Sequence, residues 1–185
     1  MIYYREMTAA GVRLLRQIDR SEHIDLIYEM HDGQVVDRPA DHECPTWNDT
    51  LLTEIEQRFV RECNRGGFAV GAFAQEEHAE RLVGFGVLAV QFRGENLDQL
   101  QVDLMYVSRA NRRQGIGRQI FEQLREEAVR RGAKALYISS TETRSAVSFY
   151  RSSGAELTEK PDEELLKKEP LDIHMVVKLG NLGGE

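Results

Sequence analysis

The stretch Arg112-Arg113-Gln114-Gly115-Ile116-Gly117 combines two glycines with arginines just ahead of a strongly amphipathic run. The first turn of a helix leaves its backbone N–H groups unpaired, and the macrodipole places about half a positive charge there. Glycine removes the Cβ that would hold a large anion away from those donors. Arg112, Arg113 and Arg118 crowd the same turn, where cations oppose the dipole unless an anion lies between them. A phosphate or diphosphate is the ligand such a turn suits. The plain alternative is a basic turn that only starts a helix. Two better-known phosphate loops are excluded. No Gly-Lys-Ser/Thr tripeptide occurs, and a dinucleotide fingerprint requires glycine where Ile120 stands.

A second residue invites chemistry. Asp103 lies in an otherwise apolar strand run with Val102, Leu104, Met105 and Val107. A carboxylate there is costly unless it is paired or useful. It is a candidate general base, with Glu142 in reserve; pairing with a nearby arginine is the structural alternative.

The order of these segments resembles the GNAT superfamily of N-acetyltransferases. Arg112, Gly115 and Gly117 occupy the three fixed positions of its acetyl-CoA signature, Gln/Arg-x-x-Gly-x-Gly/Ala. Leu104-Met105-Tyr106-Val107 looks like the strand that precedes that signature. Ala146-Val147-Ser148-Phe149-Tyr150-Arg151-Ser152-Ser153-Gly154-Ala155 looks like the later Ala-x-x-Phe/Tyr-Tyr-x-x-x-Gly-Phe block. The likeness covers residues 68–157 well and the rest loosely. It implies acetyl-CoA as cosubstrate, held by Arg112, Arg113, Gln114, Gly115, Ile116, Gly117 and Arg118. It also implies that the strand carrying Met105, Tyr106 and Val107 bulges and splays from the next one, freeing amides for the thioester and pantetheine arm. Tyr150 becomes the proton donor to the departing sulfur. One position departs from the family pattern: Thr143 stands where an asparagine is common, so a cofactor contact there has a hydroxyl and no amide.

The implied reaction is direct attack by a primary amine. A lysine-like amine with a pKa of about 10.4 is free base in roughly one molecule in a few thousand at neutral pH, so a base is required. A phenol near pKa 10 facing a thiol near 8.5 makes full proton transfer cost roughly 2 kcal/mol, so Tyr150 serves mainly as a hydrogen-bond donor to developing charge. Neither Cys44 nor Cys63 sits in a nucleophile motif or a CxxC pair. The expected acceptor is a small, cationic amine; the alternatives are a protein N-terminus or lysine, or a non-catalytic CoA-binding module of the same fold.

These residues need a scaffold. Ile2–Tyr4 reads as a strand, followed after Thr8 by a helical pattern through Val12, Leu14, Leu15 and Ile18. Residues 21–47 read as a hairpin about Asp32-Gly33 and then a loop broken by Pro39 and Pro45. Carboxylates Glu29, Asp37, Asp41 and Glu43, with Tyr28 and Trp47, make this segment the expected acceptor side. A helix capped by Asp49 or Thr50 runs to Gly66-Gly67. Residues 68–74 and 81–92 form an antiparallel pair, and 99–107 a further strand. Residues 117–131 are the clearest helix, with Ile120, Phe121, Leu124 and Ala128 on one stripe. Strand 133–141, helix 145–153, a helical turn 161–168 and strand 172–179 follow. The expectation is a single α/β domain over 1–180, a mixed, mostly antiparallel sheet flanked by helices, with a frayed tail over 181–185.

Bulk properties limit the function classes. A net charge of −7 argues against a nucleic-acid partner, whose affinity would come from a basic face. No apolar run approaches the roughly 20 residues of a membrane span, and the charged N-terminal stretch lacks a signal-peptide core, so a cytoplasmic location is expected. His31, His42 and Cys44 match no zinc spacing, and no metal is expected. A homodimer through the edge of the final strand is an open expectation.

Overall fold

A computed structural model describes residues 1–77 and 79–180 of the 185. Its centre is a seven-stranded sheet. In chain order the strands are β1 (Ile2–Met7), β4 (Phe68–Gln75), β5 (Glu80–Arg93), β6 (Gln99–Val107), β7 (Ala135–Ser140), β8 (Glu156–Leu157) and β9 (Ile173–Lys178). They lie side by side as β1-β4-β5-β6-β7-β9-β8, and only β6 and β7 run parallel. The remaining two strands, β2 (Glu22–His31) and β3 (Gln34–Cys44), form a separate hairpin. Helix α1 (Asp49–Asn64) packs on one face of the sheet and α2 (Ile116–Arg130) on the other. Helices α3 (Arg144–Ser152) and α4 (Glu163–Lys168) flank β7 to β9. The expected mixed, mostly antiparallel architecture is what the chain adopts.

The two faces have separate cores. On the α2 face Ile120, Phe121 and Leu124 pack against Val83, Leu88, Leu136 and Ile138. On the α1 face Ile55 and Phe59 pack against Phe73, Phe85, Val87 and Leu104. Helix α2 comes close to β5 because the strand presents glycine beneath it. A Cβ on Gly86 would lie 2.6 Å from Ile120 Cγ2 and 2.9 Å from Leu124 Cδ1, a clash that side-chain shifts would have to absorb.

Several sequence expectations are corrected. Residues 9–17 form a 3-10 helix rather than an α-helix. Val12, Leu15 and Ile18 recur every three residues, which matches three residues per turn, and Thr8 makes no side-chain cap. The hairpin turn is as expected, with Asp32 at φ 49° and Gly33 at φ 77°, the left-handed pair of a type I′ turn. However, β3 continues through Pro39 to Cys44, where a loop was expected. Pro39 stands opposite Leu26 beside a register shift, in a strand with no second neighbour to claim its missing N–H. Asn48, not Asp49 or Thr50, caps α1, its Oδ1 accepting from Leu51 N at 2.9 Å. The final strand is not a free edge, since Met175 and Val176 pair with the short strand β8. The expected frayed tail falls outside the described residues.

Candidate active site at the split between β6 and β7

Strands β6 and β7 pair only at Gln99–Ala135, Leu100–Leu136 and Gln101–Tyr137, and beyond that point they separate. A bulge in β6 accompanies the split. Val87 stands opposite Leu104 and Leu88 opposite Val102, so Asp103 is the extra residue. The bulge reverses the alternation of the strand. Leu100 and Val102 belong to the α2-side core, whereas Leu104 and Tyr106 turn to the α1 side, and Met105 and Val107 to the α2 side. Ser108 N donates to Val83 O at 2.8 Å. Strand alternation therefore aims the N–H groups of Met105 and Val107 away from β5, toward the split.

The loop that enters α2 lies at the α2-side mouth of this split. Arg113 (φ 61°) and Gly115 (φ 80°) are both left-handed. Gly115 occupies the N-cap without a side-chain bond, and a Cβ there would meet nothing within 4 Å. The first intrahelical donor is Gln119 N, bonded to Gly115 O at 3.0 Å. The six consecutive N–H groups from Arg113 to Arg118 donate to no described residue. Such a run of main-chain donors, in a turn of alternating handedness ahead of a helix, has the geometry that suits an anion. Arg113 and Arg118 are exposed and form no ion pair among the described residues. Ile116 contributes only main chain, because its side chain is 2% exposed in the core. A Cβ on Gly117 would touch Phe149 and Met105 at 3.4–3.5 Å, so this position lies against the split itself.

Three sequence candidates are engaged elsewhere. Arg112 turns back into the protein, with Nε on Val107 O at 2.9 Å, one terminal nitrogen on Arg20 O at 3.0 Å and the other near Glu22 at 3.4 Å. It ties the loop to the hairpin and leaves anion binding to the backbone. Gln114 bonds Ala110 O at 3.3 Å. Thr143 caps α3, accepting from Ala146 N at 3.4 Å, and is 9% exposed. The hairpin docks on that same corner, where Tyr28 N donates to Glu142 O at 2.7 Å and Ile27 bridges Thr143.

Tyr150 sits on α3 with Phe149, both rings packed edge-on to Phe121 at 5.9 Å. Its hydroxyl makes no hydrogen bond to any described residue. Burial holds the phenol above its ordinary pKa, and the negative fields of Tyr106 and Asp172 add to the rise, so it is protonated at neutral pH. Asp103 is not a solitary carboxylate. Arg58 of α1 donates to its Oδ1 and to its carbonyl, both at 2.9 Å. Its side chain is 9% exposed, and its Oδ2 is buried without a partner. The sequence had no long-range signal for this pair, because Arg58 is 45 residues away on another element. Asp172, next to Ser139 at the far lip of the split, also escaped the sequence reading.

On the α1 face, Trp47 packs edge-on against Tyr106 at 4.8 Å. A hollow of about 210 Å³ opens beside it between Arg16, Gln17, Asp19 and Trp47, with the Arg16 guanidinium paired to Glu56 at 2.8 Å. Ser21 donates to Asp19 and holds its carboxyl below the ordinary range. Cys63 is half-buried, and its thiol is pushed up to about 11 by burial, which suits packing rather than nucleophilic work. Among the described residues, no group of three or more His, Cys, Asp or Glu side chains is placed to hold a metal ion. No helix among them is long and apolar enough to cross a membrane.

A family description, the acetyltransferase (GNAT) family, matches residues 27–155. The chain belongs to the GNAT acetyltransferase family. Solved structures match it along nearly its whole length. Nourseothricin acetyltransferase superposes with a TM-score of 0.72 at 19% identity, covering 97% of this chain and 99% of the other. A Bacillus anthracis str. Ames protein, provisionally named a streptothricin acetyltransferase and solved with acetyl coenzyme A, gives 0.71 at 15% identity with the same coverage. The Escherichia coli ribosomal-protein-S18-alanine N-acetyltransferase gives 0.61 at 16%, covering 100% of this chain and 97% of that one. At these identities the likeness is one of fold. No curated protein matches the chain by sequence.

Proposed function

We propose that the protein is an acetyl-CoA-dependent N-acetyltransferase acting on a primary amine of a small, cationic acceptor. The observation that carries this reading is the run of six N–H groups, Arg113 to Arg118, without a partner among the described residues, at the open mouth of the β6/β7 split. The residues suit the ligand: backbone donors and two exposed arginines for a diphosphate, and Met105 and Val107 amides along the split for an amide-bearing arm. Bound there, acetyl-CoA supplies an acyl group activated as a thioester. Tyr150 Oη would donate toward the sulfur, and the β6 amides would hold the oxygen that becomes negative. The acceptor would enter from the α1 face, where Trp47, Tyr106, Asp19 and the carboxylates of the split suit a cation. A small acceptor accords with the names of the two solved structures that superpose at 0.72 and 0.71.

A panel of small amines, lysine-containing peptides and peptide N-termini, assayed by thiol release from acetyl-CoA, tests the proposal. Turnover with small cationic amines is expected. Coenzyme A binding with no thiol release across the panel would leave only a binding module of the same fold. Turnover confined to peptides would assign the acceptor to protein.

A further inference from the structure

The carboxylates at the split are not equivalent. The last paired residues are Gln101 and Tyr137; two residues further along, Asp103 and Ser139 flank the gap. Leu136 and Ile138 belong to the α2-side core, so Tyr137 and Ser139 face the α1 side. On neighbouring β9, Ile173 and Met175 share that core, so His174 also faces the α1 side, and Asp172, just before the strand, joins that side through its bond to Ser139. Asp103 is neutralised by Arg58 at 2.9 Å. Asp172 has no ion pair among the described residues. Its Oδ2 accepts from Ser139 Oγ at 2.7 Å, and its Oδ1 accepts nothing from them.

Resting on the acetyltransferase reading, we propose that Asp172 is the base of the reaction, its Oδ1 taking the proton that the acceptor's ammonium must lose at the α1 face of the split. Titratable groups from several elements are coupled to it electrostatically. Arg58 comes from α1, Tyr106 from β6, Glu142 from the turn after β7, Tyr150 from α3, and Glu169 from the segment after α4. Glu169 O accepts from Asp172 N at 3.2 Å. Desolvation raises the Asp172 carboxyl above its ordinary value; the Ser139 hydroxyl lowers it, the charges of Glu169 and Glu142 raise it, and Arg58 opposes them. Its charge in turn adds to the rise of both Tyr150 and Tyr106, whose largest cause is burial.

The direction of these effects suits a base. An ordinary aspartate near pKa 3.9 lies about 6.5 units below a lysine-like amine, too wide a gap for efficient proton transfer. Burial among like charges narrows it. The transfers balance. One N–H bond breaks with its electron pair left on nitrogen for the bond to the acyl carbon, and an O–H bond forms at Asp172 Oδ1. The acyl C–S bond breaks with its electron pair left on sulfur, Tyr150 Oη gives its proton to that sulfur, and the phenol regains one through solvent from the second N–H of the attacking nitrogen. Asp172 then releases its proton to solvent.

The test uses the intact protein, carbon-13 NMR of its aspartate carboxyls, and the amine that turns over fastest in the panel. The carboxyl signal missing from Asp172→Asn is expected to titrate above the other aspartates. Asp172→Asn is expected to bind coenzyme A within twofold of wild type in calorimetry, to lose roughly 100-fold in kcat, and to lose the acidic limb of the kcat–pH profile. Ser139→Ala keeps the carboxylate but removes the group that lowers its pKa, so both the NMR titration and the acidic limb are expected to move to higher pH. An Asp172→Asn protein with wild-type turnover and limb, or a Ser139→Ala limb that does not move, would overturn the assignment while leaving the acetyltransferase reading intact. Failure of the wild type to bind coenzyme A would overturn that reading, and this assignment with it.

Discussion

On the α2 face, the split between β6 and β7 is met by six N–H groups with no partner among the described residues, the exposed Arg113 and Arg118, and an apolar wall of Met105 and Phe149. On the α1 face it is met by Asp103, Asp172 and Tyr106, with Arg58 as the one guanidinium bonded there among the described residues. One face therefore suits a large anion and the other a cation. A two-substrate transfer benefits from that arrangement, because each substrate is drawn to its own side and the reacting atoms meet only in the gap. The single extra residue in β6 makes this polarity possible. Without the bulge at Asp103, Tyr106 would share a face with neither Asp103 nor Arg58, and the strand's alternation would run unbroken.

The sharpest way to break the comparison is to put negative charge on the anion side. Gly115→Asp is expected to weaken coenzyme A by roughly a thousandfold, about 4 kcal/mol, in calorimetry. The space around that Cβ is open, but φ 80° strains any side chain, so the melting temperature should fall by a few degrees; Gly115→Ala carries the same strain without the charge and is expected to bind coenzyme A far more tightly than Gly115→Asp. Near-normal affinity of Gly115→Asp would remove the loop from the site. Next comes the gap itself. Tyr150→Phe is expected to lower kcat by about 100-fold with coenzyme A affinity unchanged, measured by thiol release and calorimetry side by side. Equal turnover would take Tyr150 out of the chemistry.

Smaller effects sharpen the cation side. Asp103→Asn retains an oxygen for Arg58, so turnover is expected to fall by less than about tenfold, with the acidic limb kept. A loss as large as that expected for Asp172→Asn would return the base to Asp103. The smallest effect concerns the support beneath Asp172. His174 is 5% exposed and bonded to Tyr137 Oη at 2.5 Å, and burial lowers its pKa below the ordinary 6.5. Its folded pKa is depressed, so the unfolded chain takes up the proton first. Stability is then complete above about pH 6.5 and falls with acidification by at most ~1.4 kcal/mol per pH unit until the folded pKa is reached. Urea melts at pH 7.5 and 5.5 should show that loss, and His174→Phe should show a smaller one.

Much of the scaffold was legible because it rests on local rules. The stripe Ile120, Phe121, Leu124 and Ala128, the Gly115 entry and the Asp32-Gly33 turn are statements about neighbours in sequence. Where the reading went wrong, a tertiary circumstance decided. Pro39 remains in a strand because β3 has no second partner. Arg112 illustrates the same limit at the site. Its position in the motif was plain, but its guanidinium is taken by Val107 and Arg20, the latter 92 residues away.

By itself the sequence determined that a glycine-lined helix entry follows a strand, and that Tyr150 follows on a short helix. Helix caps, turns and amphipathic stripes act over a few residues, so the chain carries them openly. Only the tertiary structure decided which carboxylate is neutralised and which is left bare. Arg58 reaches Asp103 across 45 residues, and Ser139 reaches Asp172 across 33. Charge is set by what stands within a few ångströms in space, and that is settled only when β6, β7 and β9 lie side by side.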